Sequence, residues 1–235
     1  MVPWKLLDSA QTPDKNSELR LYQRGAEFSI RVDGLALMNS RRYDSESALA
    51  ELPCSRIADR ANARVLIGGL GMGYTLAAAL TNLGTDAEVV VAELVPAVVA
   101  WNRGALGELA GHPLQDSRVT VQEQDVIRLL KNKQEAFDAI IIDVDNSPDG
   151  LTQKGNDWLY SRAGLLVTQM ALRPEGVLAV WSVTSDRAFT LRLRSAGFVV
   201  EESIVGARDS RKGGRHTLWI ATPHDMAKRQ RSDLK

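Results

Sequence analysis

Three carboxylates fall within seven residues in the stretch Asp143-Val144-Asp145-Asn146-Ser147-Pro148-Asp149-Gly150, directly after the apolar run Ala139-Ile140-Ile141-Ile142. Carboxylates at the end of a buried strand can orient a cationic substrate and take its proton, so Asp143 and Asp145 are the candidate catalytic residues. Asp, Asn, Pro and Gly also form solvated turns. The position at a strand's carboxyl end favours a site, because open α/β sheets bind ligands there. Two more acids stand at such ends. Glu93 closes Val89-Val90-Val91-Ala92 twenty residues after Gly73. An acid there can accept both hydroxyls of a ribose, or it can cap the helix that starts near Pro96. Asp125 can accept an exocyclic N–H of a base, with Val126 supplying backbone and apolar contact, or it can N-cap the next helix.

The acids converge on a glycine turn. Val65-Leu66-Ile67 runs into Gly68-Gly69-Leu70-Gly71-Met72-Gly73, and the helix-forming run Leu76 to Leu80 follows. Gly68, Gly69, Gly71 and Gly73 let the backbone turn tightly and press its N–H groups against a ligand. Four glycines within six residues cost backbone entropy that a bare turn does not need. A dinucleotide fingerprint requires Gly-x-Gly-x-x-Gly; the spacing here is Gly69-x-Gly71-x-Gly73. That spacing suits a nucleotide with no pyrophosphate, such as an adenosine bearing a short sulfonium chain, better than NAD.

An alternation of strands and helices must hold these residues. Strands are expected at 64–68, 87–93, 118–122, 137–143, 176–183, 198–204 and 215–221, and helices at 72–83, 95–110, 126–133, 158–172 and 185–196. The pattern specifies an α/β fold: a Rossmann-like, mostly parallel seven-stranded sheet covered on both faces. Before it, period-two patterning from Glu18 to Asn39, with turns at Arg24-Gly25 and Asp33-Gly34, predicts a hairpin or three-stranded meander. Ser45 is the expected N-cap of a short helix to Leu52. Residues 1–60 thus form a small N-terminal β segment plus helix, 61–223 the nucleotide-binding catalytic domain, and 224–235 a disordered tail.

Composition removes several function classes. Lys plus Arg equals Asp plus Glu at 29 each, so no global field draws in nucleic acid or anionic membrane. One cysteine, Cys54, cannot form an intramolecular disulfide. No two of His112, His216 and His224 stand at ligand spacing, so no metal site is expected. No apolar run has the length of a membrane span and residues 1–15 carry no signal-peptide core, which makes the cytoplasm the simplest location.

From about residue 18 to 205 the chain resembles the spermidine synthase family, aminopropyltransferases on a class I methyltransferase fold. The matching pieces are Asp33-Gly34, Val-Leu-Ile-Gly-Gly, Glu93, Gln124-Asp125-Val126, Phe137-Asp138-Ala139-Ile140-Ile141-Ile142-Asp143 and Leu159-Tyr160-Ser161. The resemblance implies that Glu93 and Asp125 hold ribose and adenine, that Asp143 lies beside the amine acceptor, and that Asn146 and Tyr160 belong to the substrate site. It also implies a possible homodimer.

The departures fall where specificity is set. The family's turn carries an Asp that holds the amine of decarboxylated S-adenosylmethionine; Gly71 stands in its place. The family's Asp-x-x-Asp pair is Asp143-Val144-Asp145-Asn146, which loses its second carboxylate. Leu37 replaces a Gln, and Tyr43-Asp44-Ser45-Glu46 does not match the family's Tyr-His-Glu segment. A Gly-rich backbone accepts the carboxylate of ordinary S-adenosylmethionine, which an Asp would repel, so the expected donor is S-adenosylmethionine, with the decarboxylated form as alternative. Methyl transfer to a small, amine acceptor is accordingly placed ahead of aminopropyl transfer. Methyltransferases usually carry an acid two residues before the first glycine, where this chain has Ile67. Two rivals remain: a non-catalytic S-adenosylmethionine sensor or partner subunit, and a nucleic acid modifier. For the latter, Gly206 to Lys235 holds eight Lys or Arg against three Asp, a pattern better explained by a solvated tail. Trp181 is expected in the core, while Trp158 can be core or pocket wall.

Overall fold

The computed structural model describes residues 2–13, 15, 17–144, 158–206 and 215–224. Four strands, β1 (Lys5–Gln11), β2 (Glu18–Arg24), β3 (Glu27–Val32) and β4 (Leu35–Asn39), form an antiparallel sheet in sequential order. Helix α1 (Asp44–Arg56) leads to the main sheet. Its strands are β5 (Arg64–Gly68), β6 (Glu88–Ala92), β7 (Val119–Gln122), β8 (Phe137–Ile142), β9 (Leu172–Ser182), β10 (Phe198–Gly206) and β11 (Arg215–Pro223), in the order β10-β11-β9-β8-β5-β6-β7. β5 to β9 are parallel, and β11 runs antiparallel between β9 and β10. The order reverses at β5, whose neighbours are β6 and β8, so the switch point lies at the end of the glycine-rich strand.

Helices cover both faces, as the uninterrupted apolar strands require. Side chains alternate across the sheet: Val65, Ile67 and Ile141 enter the layer beneath α1, α2 (Tyr74–Asn82) and α3 (Pro96–Arg103). Leu66, Ile140 and Ile142 enter the layer beneath α4 (Val126–Lys131), α5 (Arg162–Ala171) and α6 (Arg187–Ser195). The N-terminal sheet adds Leu19, Leu21, Phe28, Ile30 and Val32 to the first of these cores, so it is a covering layer for that end of the domain.

Four details differ from the sequence reading. β1 was not expected, because its polar, exposed edge strand carries little period-two signal; it pairs with β2 through a bulge between Leu6 and Asp8. The Trp101 indole N–H anchors it by donating to Asp8 Oδ2 at 2.7 Å. Ser45 does not cap α1: the cap position is Tyr43, and the Ser45 hydroxyl is used elsewhere. The helix expected at 95–110 breaks at Gly104 and resumes as a 3-10 turn at Gly107–Ala110. The helix expected at 158–172 starts later, with Ser161 accepting from the Gly164 N–H as its cap. The proposed tail beyond His224 lies outside the described residues. Among the described residues, no helix is long and apolar enough to cross a membrane.

Candidate active site

The glycine turn divides its labour. Gly69 adopts φ +93°, and a Cβ there would stand 2.2 Å from the Asp143 carbonyl oxygen, so only glycine lets the turn pass the end of β8. Gly71, at φ +53°, lies against Met38: a Cβ would meet its methyl at 2.6 Å and its sulfur at 2.8 Å. Gly69 and Gly71 line a deep cavity. Gly68 instead packs on Val126 and Ile142, and Gly73 caps α2 in the left-handed conformation.

Opposite the turn, Glu93 is 8% exposed and lines the same cavity. Its Oε2 accepts the Leu70 N–H at 2.9 Å and its Oε1 accepts the Val95 N–H at 2.8 Å. The carboxylate therefore ties the turn to the start of α3. The carboxylate still has acceptor capacity left for a ligand hydroxyl. Burial pushes the Glu93 carboxyl above the usual carboxylate range, against the pull of the Val95, Leu70 and Leu94 N–H groups.

Asp125 caps a helix and also faces the cavity. Its Oδ1 accepts the Ile127 N–H at 2.8 Å as the cap of α4, and it lines the cavity beside Gln124 and Val126. The N-terminal sheet closes the cavity with Leu19, Ile30, Val32, Leu37 and Met38. An apolar enclosure with acids at two strand ends can take an adenosine: hydroxyls and exocyclic N–H groups at the acids, the base against Val126 and its neighbours.

Asp143 is 9% exposed and accepts the Thr75 hydroxyl at Oδ2 across 2.5 Å. It lines the cavity and also a second, narrow cleft formed with Met38, Asn39, Glu46, Leu70, Met72, Tyr74 and Thr75. The sequence reading did not single out Glu46 as a site residue. Its Oε2 accepts the Ser45 hydroxyl at 2.6 Å, and Ser45 Oγ meets His216 Nδ1 at 2.9 Å. Burial raises the Glu46 carboxyl and lowers His216. The only sequence signal for Glu46 was its mismatch with the Tyr-His-Glu segment. Trp181 packs its ring 4.8 Å from His216, and its indole nitrogen is buried without a partner among the described residues.

The structure leaves other candidates apart. Tyr160 is buried in the second core with its ring edge-on to Phe189, 5.6 Å away, and lines neither cavity. Trp158 is half-buried with the Lys131 ammonium 4.4 Å above its ring. Asp145 and Asn146 lie outside the described residues. Among the described residues, no group of three His, Cys, Asp or Glu could hold a metal ion. Cys54 is buried, and burial lifts its thiol to about 12.

Residues 45–189 match the family model for the spermine/spermidine synthase domain. The chain belongs to the spermine/spermidine synthase family. It is therefore a transferase dependent on a nucleotide of the S-adenosylmethionine type. Its fold is that of solved spermidine synthases. One, from Thermotoga maritima, has a TM-score of 0.72 at 17% identity over 93% of this chain and 72% of that one. Another, in complex with the transition state analogue AdoDATO, has a TM-score of 0.71 at the same identity and coverage. No curated protein matches the chain in sequence.

Proposed function

We propose that the protein transfers the aminopropyl group of decarboxylated S-adenosylmethionine to a small amine. The observation that carries this reading is the position of Asp143, which lines both the nucleotide cavity and the cleft that holds Glu46. A donor in the cavity and an amine nitrogen beside Asp143 would meet at one carboxylate. Family membership and the complex of a relative with a transition state analogue support aminopropyl over methyl transfer. Gly71 alone argued for methyl transfer, and its closeness to Met38 gives the glycine a packing reason of its own.

In this reading Glu93 accepts the ribose hydroxyls and Asp125 with Val126 holds the adenine. Asp143 orients the acceptor nitrogen and accepts the proton it loses. The nitrogen lone pair attacks the propyl carbon bonded to sulfur. The new C–N bond forms as the C–S bond breaks, and the electron pair returns to sulfur, which leaves as the neutral thioether methylthioadenosine. Positioning and exclusion of water by the N-terminal sheet supply the acceleration, because the reaction needs no further protein covalency. The Thr75 hydroxyl keeps Asp143 in register with the attack.

Incubation with each donor and an amine panel, followed by mass spectrometry, tests the reading. Methylthioadenosine and an amine heavier by one aminopropyl group are expected from the decarboxylated donor. Formation of S-adenosylhomocysteine and a methylated amine from S-adenosylmethionine would instead establish methyl transfer.

A further inference from the structure

We infer that an arginine-rich groove on the outer face of the N-terminal sheet binds an oligophosphate anion, a short chain of phosphates either free or carried on a nucleoside. The groove is separate from the nucleotide cavity. Side chains alternate along β2 and β3: Leu19, Leu21, Ile30 and Val32 enter the core, so Tyr22, Arg24, Glu27 and Arg31 stand on the other face. Arg24, Arg31, Arg41 and Arg42 line an open groove of about 600 Å³ beside Trp4, within the size range of small-molecule sites. The acids on its lining are Glu27 and Asp44. The chain as a whole is neutral, yet four guanidinium groups here meet two carboxylates.

The guanidinium groups are held in place without being neutralised. Arg31 lies 4.7 Å from the Tyr22 ring and 5.1 Å from the Trp4 ring, and its Nε donates to Ser29 Oγ at 3.4 Å. Neither Arg31 nor Arg42 forms an ion pair among the described residues. Arg24 sits 4.4 Å over Trp4 and shares Glu27 with Arg41, at 2.8 and 3.3 Å. Arg31 also stands directly across from Arg20 in the β2–β3 register, a like-charge pairing that a sheet stabilised for its own sake would avoid. Helix α1 begins beside the groove, between Arg42 and Asp44, and its cap residue Tyr43 makes no side-chain hydrogen bond, so the helix adds its positive end to the same field. A surplus of positive charge in one groove calls for a compact multivalent anion. Planar guanidinium forks match phosphate oxygens in pairs, and aromatic rings that fix their orientation lower the entropy cost of binding.

The test is calorimetry of inorganic triphosphate, ATP and citrate against the wild type, Arg31→Gln, Arg42→Gln and Glu27→Gln, with methylthioadenosine present to keep ATP out of the cavity. Triphosphate has no adenosine to place there, so its result is independent of the transferase reading. One triphosphate per chain is expected, with an affinity that falls as salt rises. Arg31→Gln and Arg42→Gln should each weaken it by about tenfold, and Glu27→Gln should strengthen it, while methylthioadenosine affinity stays within about twofold in all three. ATP binding as tightly as triphosphate would make the phosphate chain the whole ligand; tighter binding would add the nucleoside to it. No triphosphate binding by the wild type, citrate bound as tightly as triphosphate, or affinity indifferent to all three substitutions would overturn the inference. So would binding of a single-stranded RNA without terminal phosphates where triphosphate fails to bind.

Discussion

The Met38 side chain occupies the place where a β-carbon on residue 71 would stand, with its sulfur 2.8 Å and its methyl 2.6 Å from that position. The contact joins the N-terminal sheet to the glycine turn. It makes residue 71 a coupled position: an Asp there needs both a left-handed backbone and a smaller residue at 38. Gly71→Asp is therefore expected to cost about 2–3 kcal/mol of stability, from the left-handed conformation and the overlap together. It should not by itself increase affinity for the decarboxylated donor. Adding Met38→Ala should recover part of the stability and reveal any gain in donor preference. Urea denaturation and donor competition measure the two effects, and a single variant as stable as the wild type would contradict the packing argument.

Asp143 was legible from its place at the end of an apolar strand, and the structure adds its tie to Thr75. Asp143→Asn keeps the shape and loses the base, so kcat is expected to fall by about 10²–10⁴-fold. Affinity for methylthioadenosine should stay within about threefold, since in this reading the ribose and adenine contacts come from Glu93 and Asp125. Thr75→Val should lower kcat less, by loosening Asp143 rather than removing it. An Asp143→Asn variant with near-normal kcat would mean that another group accepts the proton.

What the sequence revealed follows from how local each signal was. The glycine turn, Glu93, Asp125 and Asp143 each lie where a strand ends, and strand ends can be read from a run of a few apolar residues. The mostly parallel character of the sheet followed from alternation, because parallel strands need helical crossovers. β1 was hidden because it is an exposed edge whose anchor, Trp101, lies 93 residues away. Glu46 was hidden for the same reason: the cleft it shares with Thr75 and Asp143, and its link through Ser45 to His216, exist only once the fold brings these residues together. Ser45 had the residue type of a helix cap, but tertiary contacts with Glu46 and His216 took its hydroxyl.

Glu93 links ligand affinity to pH. Burial raises its folded pKa above the ordinary carboxylate value. Between the unfolded and folded values, the folded protein holds a proton that the unfolded chain has released. The group's contribution to stability is thus fully present below the unfolded pKa and declines as pH rises through the folded one. Affinity runs the other way, because the charged form is the stronger acceptor for ribose hydroxyls. Methylthioadenosine should therefore bind more tightly as pH rises through the Glu93 window. Glu93→Gln should bind at least about tenfold more weakly, a loss of about 1.4 kcal/mol or more, with a flatter pH profile. Titration calorimetry across pH tests both, and an unchanged affinity in the variant would remove Glu93 from the ribose site.

At the opposite end of the sheet from the site, Asp138 fastens β8 to its surroundings. It is 3% exposed. Its Oδ2 accepts the Arg64 N–H at 2.8 Å and Arg173 at 2.7 Å, and Arg60 binds Oδ1 at 2.7 Å. Burial pushes its pKa up, but the Arg64 N–H and the Arg60 and Arg173 guanidinium groups outweigh this and hold it below the usual value. A lowered folded pKa adds stability that is present above the unfolded value and is lost as pH falls through the folded one. Asp138→Asn should therefore cost about 1–3 kcal/mol at neutral pH, and its stability should decline less steeply in acid than that of the wild type. Arg60→Ala and Arg173→Ala should each cost less, because both guanidinium groups stay near solvent. Nucleotide affinity should not change in Asp138→Asn, since Asp138 lines neither cavity. Urea denaturation at several pH values measures the effect, and a variant with the full acid dependence of the wild type would show that another carboxylate governs it.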